Sequence, residues 1–312
     1  MIQFFIRSRA LRELKHYLKE NALQGKPLCV MDDMVFKAML SSDNEDSREA
    51  LRSLLSACTR REISNVRVMN GELFPAHLDA KSARLDVNVT FNDGESADLE
   101  MQMGKSADDI KDRAAYYTAM LLSGQSEKGQ PYKEIKRVYQ IFFLNFVLFP
   151  QSEKLPRRYR YMEESEHDCL TKSTEIIFYE LPKLERLVKD YFEGRAEYAG
   201  LPEDEKWCIF MKYRHEKQAG PIIEDLCRKE EGIMHAEKSL EKIYRSYDKY
   251  YRKMSIAKNN VDMFYKMKNA REEARADEKL QIARNLLTEG STPEFVQKIT
   301  GLDLETISEL RN

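Results

Sequence analysis

The sequence predicts an α/β protein with a mixed central sheet flanked by helices and an all-helical C-terminal region. Three observations carry this. The stretch RLDVNVTFNDGESADLEMQM (Arg84–Met103) alternates apolar and polar residues on either side of a glycine turn, the pattern of an antiparallel hairpin. Arg137–Phe149 is a near-continuous apolar, aromatic and β-branched run, which fits a strand buried on both faces in a parallel pairing. Beyond about Trp207 strand signals stop, and charged helices take over from Ile222 to Leu287.

Each element follows from local chemistry. Leu11, Leu14, Tyr17 and Leu18 give a helix over about Ala10–Leu23, stopped by Gly25 and Pro27. A short helix follows at Asp33–Leu40. Asp46 or Ser47 caps a third, with Ala50, Leu51, Leu54, Leu55 and Cys58 on its apolar face. Asn65–Met69 reads as a short strand that turns at Asn70-Gly71. After the hairpin, Asp108 caps a helix whose face is Ile110, Ala114, Tyr117 and Leu121, and Gly124 ends it. Strand, helix and buried strand then make a crossover unit. A further strand, Glu175–Leu181, closes at Pro182. Leu240, Ile243, Tyr247 and Met254 form a seam too brief for a coiled coil, which serves as a packing or dimer surface. The tail from Ala283 has helix stops at Gly290 and Gly301, a helix start at Ser291 or Thr292 with Pro293, and a cap at Asp303. It fits either a helix-turn-helix or a packing tail, and the acids Asp303, Glu305 and Glu309 favour packing.

With 312 residues the chain can bury one large domain and an appendage. Its formal charge of -2 excludes a globally basic nucleic-acid coat, but not an enzyme that grips nucleic acid locally. The 5 cysteines are dispersed without a CxxC pair, which argues for a reducing compartment and against a zinc knuckle. His167-Asp168-Cys169 reads as a surface loop. No segment has the length of a membrane span or the form of a signal peptide, so the expected location is cytoplasmic with no membrane partner.

The hairpin's register can be worked out. A two-residue Asp93-Gly94 turn would set apolar residues against polar ones. A three-residue loop Asn92-Asp93-Gly94 pairs Phe91 with Glu95 and places Gly94 where a left-handed residue is needed. Leu85, Val87, Val89 and Phe91 then share one face, and Asp86 lies opposite Glu100, with Arg84 opposite Gln102. Facing acids ~5 Å apart repel. Either a divalent cation explains them or the face is solvated, and spacing alone favours the solvated face. Asp33 and Lys37, four apart on the first short helix, are either part of the same site or a plain intrahelical pair.

An ordered set of motifs adds to this. D-x-V-F-K (Asp33–Lys37), LDV (Leu85–Val87), L-E-M-Q (Leu99–Gln102) and R-A-x-Y-Y (Arg113–Tyr117) come in sequence. Y-x-x-I-K-x-V-Y-x-I (Tyr132–Ile141), Y-E-L-P-K (Tyr179–Lys183) and A-R-N-L-L-x-E-G…T-G-L (Ala283–Leu302) follow. From about Pro27 onward the chain resembles the bacterial recombination-promoting nuclease and transposase family of the PD-(D/E)XK nuclease superfamily. The resemblance implies a restriction-endonuclease-like core and a DNA endonuclease that hydrolyses phosphodiesters with Mg²⁺, or Mn²⁺ in its place. It implies metal ligands Asp86 and Glu100, with Asp33 as an auxiliary one. Gln102 stands where the wider superfamily has a lysine, an exchange usual in this branch, and Lys37 is the candidate source of the missing charge. Arg113, Tyr117 and Lys105 are candidate DNA contacts, with an apolar core role as the other reading of Tyr117. Arg60-Arg61 and Arg157-Arg158 with Arg160 are local basic groups able to hold phosphates. The expected division is an N-terminal helical extension (1–26), a nuclease-like domain (27–215) and a helical region (216–312), with a homodimer through the C-terminal helices. A catalytically weak fold that binds DNA or assembles proteins is the competing expectation.

Overall fold

A computed structural model describes residues 2–69, 72–73, 83–104, 107–125, 130–193 and 200–310. Its centre is a mixed six-stranded sheet in the order β1-β4-β5-β6-β8-β7. The strands are β1 (Val66–Val68), β4 (Val87–Phe91), β5 (Glu95–Gln102), β6 (Val138–Leu144), β7 (Arg157–Tyr159) and β8 (Thr174–Glu180). β2 (Glu72–Leu73) and β3 (Ala83–Arg84) form a separate two-stranded ladder. Strands β5, β6 and β8 run parallel, while β1, β4 and β7 pair antiparallel with their neighbours. The expected crossover is present, with α4 (Ala107–Ser123) joining β5 to β6. Asp108 lies inside this helix rather than capping it.

One face of the sheet carries the larger core. Val87, Val89, Leu99, Tyr139, Ile141, Phe143, Ile177 and Tyr179 meet α2 (Asp33–Ser41), α3 (Glu45–Thr59), α6 (Glu203–Tyr213), α7 (Gly220–Lys229) and the start of α8 (Glu231–Thr288). α1 (Ile2–Gln24) belongs to this layer through buried Leu18. The opposite face is covered by α4, whose Ile110 and Ala114 pack on Phe142, Leu144, Phe149 and Phe178. The chain divides into two compact units, Met1–Tyr250 and Tyr251–Asn312. In the second unit, Ala283, Val296 and Ile307 bring together the end of α8, α9 (Pro293–Thr300) and α10 (Leu304–Glu309). Asp303 caps α10 by accepting from the Thr306 amide at 2.7 Å, as its position predicts.

The hairpin has the predicted register, with Phe91 facing Glu95 and Val87 facing Leu99. Its loop differs from a type I turn because Asn92 as well as Gly94 has positive φ, 46° and 101°. Asn92 tolerates this conformation because its side chain is anchored. Oδ1 accepts from the Ser64 amide at 3.0 Å, and Nδ2 donates to the Glu62 carbonyl at 3.0 Å. Four further expectations need correction. The hairpin's first strand begins at Val87, because Ala83–Arg84 pairs with β2 instead. This break at Leu85–Asp86 resets the alternation, so Leu85 packs with Leu121 and Val138, away from Val87. Helix α3 is capped by Asn44, which accepts from the Ser47 amide, rather than by Asp46 or Ser47. Arg158 and Arg160 converge on buried Glu175 at 3.0 Å each, and Arg137 approaches it at 3.5 Å, so two of the three arginines of that basic group are neutralised within the fold. The expected turn at Asn70-Gly71 and the side chain of Met254 lie outside the described residues.

The Y-E-L-P-K motif has a structural meaning. Glu180, fully buried at the end of β8, accepts from the amides of Leu148 and Phe149 at 2.6 and 2.8 Å and pairs with Lys183. It thereby fastens the loop that follows β6. Removing it leaves Lys183 buried without its charge partner. Glu180→Ala should cost ~3–5 kcal/mol in denaturant unfolding, the scale for breaking a buried pair. A second prediction concerns His215, whose Nε2 accepts from the Val30 amide at 2.7 Å and whose pKa burial lowers from 6.5. The unfolded chain then takes up this proton first, so the stabilisation is full above pH 6.5 and is lost as pH falls below it. The difference in unfolding free energy between wild type and His215→Gln should therefore shrink on acidification through that range.

Candidate active site at the end of the hairpin

The acids meet where β4 begins and β5 ends. Reciprocal bonds hold them: the Asp86 amide donates to Glu100 Oε1 at 3.1 Å, and the Met101 amide donates to Asp86 Oδ2 at 3.1 Å. The Gln102 side-chain amide donates to Glu100 Oε2 at 3.3 Å. The polar face of the hairpin is not solvated. Glu100 is 3% exposed and Asp98 is fully buried. α4 lies over this face of the sheet, which explains why alternation alone pointed to water.

Burial and mutual repulsion leave a mark on these groups. Burial, with the Glu100 charge next, pushes the Asp86 carboxyl up to about 8, and Asp33 adds repulsion of its own. Burial also raises Glu100, an effect opposed in part by the positive charge of Arg113. Asp98 is raised by burial and by Glu100, while Gln140 Nε2 donates to its Oδ2 at 2.5 Å. Asp98 Oδ1, Gln140 Oε1 and Arg113 Nε and Nη2 are buried without hydrogen-bond partners among the described residues. Asp98 and Gln140 were not among the predicted site residues. Asp98 shares the Glu100 face by strand alternation, and Gln140 is a lone polar residue inside the run Val138–Leu144, but only the parallel register places one beside the other.

The other candidates fall as follows. Asp33 begins α2, with Asp32 at the cap position, and lies near enough to Asp86 for its charge to act there. Lys37 is half-buried on the same helix and forms no ion pair among the described residues, so the intrahelical Asp33–Lys37 pair is absent. Arg113 lies over the rings of Tyr117 and Phe142, 5.9 Å from each centroid. Tyr117 is half-buried against Leu121 and Leu85, and its hydroxyl is raised by burial and then by Glu100, so it belongs both to the packing and to the surroundings of the acids. Lys105 lies outside the described residues. His167 and Asp168 are exposed in the expected loop, where the Asp168 carbonyl accepts from the Glu163 amide, and half-buried Cys169 bridges to Met162.

These residues fit a hard divalent cation. Asp86 commits Oδ2 and Glu100 Oε1 to backbone amides, Glu100 Oε2 accepts only the longer bond from Gln102, and neither acid has an ion pair among the described residues. Among the described residues no three acidic, histidine or cysteine groups form a closed cage. An ion held by one or two carboxylates, completed by waters and a substrate phosphate, is the usual arrangement for Mg²⁺.

A mixed sheet whose central hairpin presents two adjoining acids, with a crossover helix behind them, is a PD-(D/E)XK-type nuclease fold. The model of the PD-(D/E)XK nuclease family transposases matches residues 30–270, and the chain belongs to that family. No curated protein and no solved structure matches it. Among the described residues no helix is long and apolar enough to cross a membrane.

The raised Asp86 carboxyl makes stability depend on pH with a definite sign. A carboxyl raised from 3.8 to about 8 stabilises the fold fully below the lower value and loses that contribution as pH rises to the upper one. Asp86→Asn keeps an acceptor for the Met101 amide without the charge. Without metal, near pH 8, it should melt above wild type, by the equivalent of ~1–3 kcal/mol. Mg²⁺ should raise the Tm of wild type and leave that of Asp86→Asn unchanged.

Proposed function

We propose that the protein is a Mg²⁺-dependent DNA endonuclease that hydrolyses phosphodiester bonds and serves recombination or mobile-element movement. The observation that carries this is the reciprocally bonded pair of half-buried Asp86 and buried Glu100, a costly arrangement of like charges that a divalent ion relieves. When bound, the ion would lower the pKa of a ligated water and offset charge building on the phosphate. Asp86 and Glu100 would hold it, with Asp33 as the auxiliary carboxylate. Gln102 keeps Glu100 turned toward the site by its bond to Oε2. Arg113, with two buried donor nitrogens unpartnered among the described residues, is suited to a non-bridging phosphate oxygen. Its closeness to Glu100 places that donor beside the acids.

A second reading has one specific observation behind it. Gln102 carries no charge where a cation would help the attacking water, and the Lys37 ammonium is not among the main influences on either acid. A fold that binds DNA and turns over slowly or not at all would also show this arrangement. Supercoiled plasmid separates the two. The nuclease reading expects nicking with Mg²⁺ or Mn²⁺ that drops at least ~100-fold in Asp86→Asn and in Glu100→Gln. Salt-sensitive binding with no nicking by wild type would establish the binding module instead.

A further inference from the structure

The outermost strand, β7, carries an asymmetry that the acid site does not explain. Its arginines alternate between the two faces of the sheet. On one face Arg158 and its follower Arg160 are neutralised by Glu175. On the other, Arg157 forms no ion pair among the described residues. Its guanidinium lies 4.6 Å from the centre of the Phe149 ring, and Lys111 of α4 brings its ammonium to 4.9 Å from the same centre. Two cations thus contact one ring, and neither forms an ion pair among the described residues. Beside them, Tyr159 packs edge-on against Phe178, receives a hydrogen bond from Arg157 Nε at 3.0 Å, and remains 37% exposed.

The sheet register ties this patch to the acids. Glu100 faces Phe142, Phe142 faces Phe178, and Phe178 faces Arg157, so all four side chains stand in one row on the same face. Phe142 and Phe178 stack at 5.3 Å and make the row rigid. Three strand spacings of ~4.8 Å put Arg157 about 14 Å from Glu100.

We propose that Lys111, Arg157 and Tyr159 form a second nucleic-acid contact, which grips an unpaired strand about 14 Å from the acid site. It deepens the nuclease reading and rests on it for the link to cleavage. Lys111 and Arg157 each take a backbone phosphate, while the part of Tyr159 that Arg157, Phe149 and Phe178 leave open takes a base. Stacking requires a base whose face is free, which a duplex offers only at its ends, so the occupant is a single-stranded segment. Arg157 is held ready for this by Tyr159 and Phe149, and Lys111 lies two residues from Arg113 on the helix that spans both sites.

The test uses the full chain carrying Asp86→Asn in metal-free buffer, so that binding is measured without cutting. Anisotropy titrations compare a short labelled single strand with its blunt duplex over a range of salt. Lys111→Glu with Arg157→Glu should weaken the single strand at least ~10-fold and flatten its log–log salt slope by about 0.7 for each phosphate no longer neutralised. Tyr159→Leu should lower single-strand affinity roughly 5- to 100-fold with little effect on the duplex, while Tyr159→Phe keeps it. Circular dichroism melts identify any variant that fails to fold. The paired charge reversal, at a half-buried and an exposed position, decides the matter without Tyr159. Unchanged affinity and slope in that variant overturn the proposal, as does equal weakening for strand and duplex, or equal competition by polyglutamate. If the nuclease reading alone is wrong, wild type shows no metal-dependent nicking while these binding differences persist.

Discussion

The reciprocal bonds between Asp86 and the end of β5 join two carboxylates that would otherwise separate, and the site is built around that clamp. Each acid accepts from a backbone amide on the neighbouring segment, so the charge of one is secured by the chain that carries the other. The arrangement needs the three-residue loop at Asn92–Gly94, because a loop shorter by one residue would turn Glu100 to the opposite face. It also needs cover. Helix α4 shields the acids on one side and α2 approaches on the other with Asp33, so their repulsion acts in a medium less screening than water.

The far end of the sheet solves the opposite problem. There one buried acid, Glu175, gathers Arg137, Arg158 and Arg160, while Asp204 accepts from the Tyr179 hydroxyl at 2.9 Å and lies 3.6 Å from Arg158. These contacts balance Glu175 and Asp204 and hold layers together. Asp86, Asp98 and Glu100 form no ion pair among the described residues, the kind of stability cost that functional sites carry.

Much of this was legible in the residues. The hairpin register followed from parity and from Gly94, both local properties, and the crossover from the length and composition of Val138–Leu144. The capping errors were also local: Asn44, Asp46 and Ser47 are all good caps, and only the formed helix shows which one accepts. Other features depend on distant partners. Asp98 becomes a buried acid because Gln140 arrives across a parallel pairing, forty-two residues along the chain. Leu85 changed face because the chain breaks at Asp86, which no alternation pattern records. β7 is three residues long and basic, and it reads as a loop until Phe178 and Ile176 are seen to pair with it.

That short strand has a further consequence. As the last strand of an open sheet, β7 exposes one side of its backbone, an invitation for another chain to add itself there. Arg157 discourages such pairing, because a second copy would bring the same charge against it, whereas Arg158 and Arg160 are already neutralised by Glu175. A single side chain thus guards the edge against self-adhesion, and an apolar residue in its place would leave a stickier molecule.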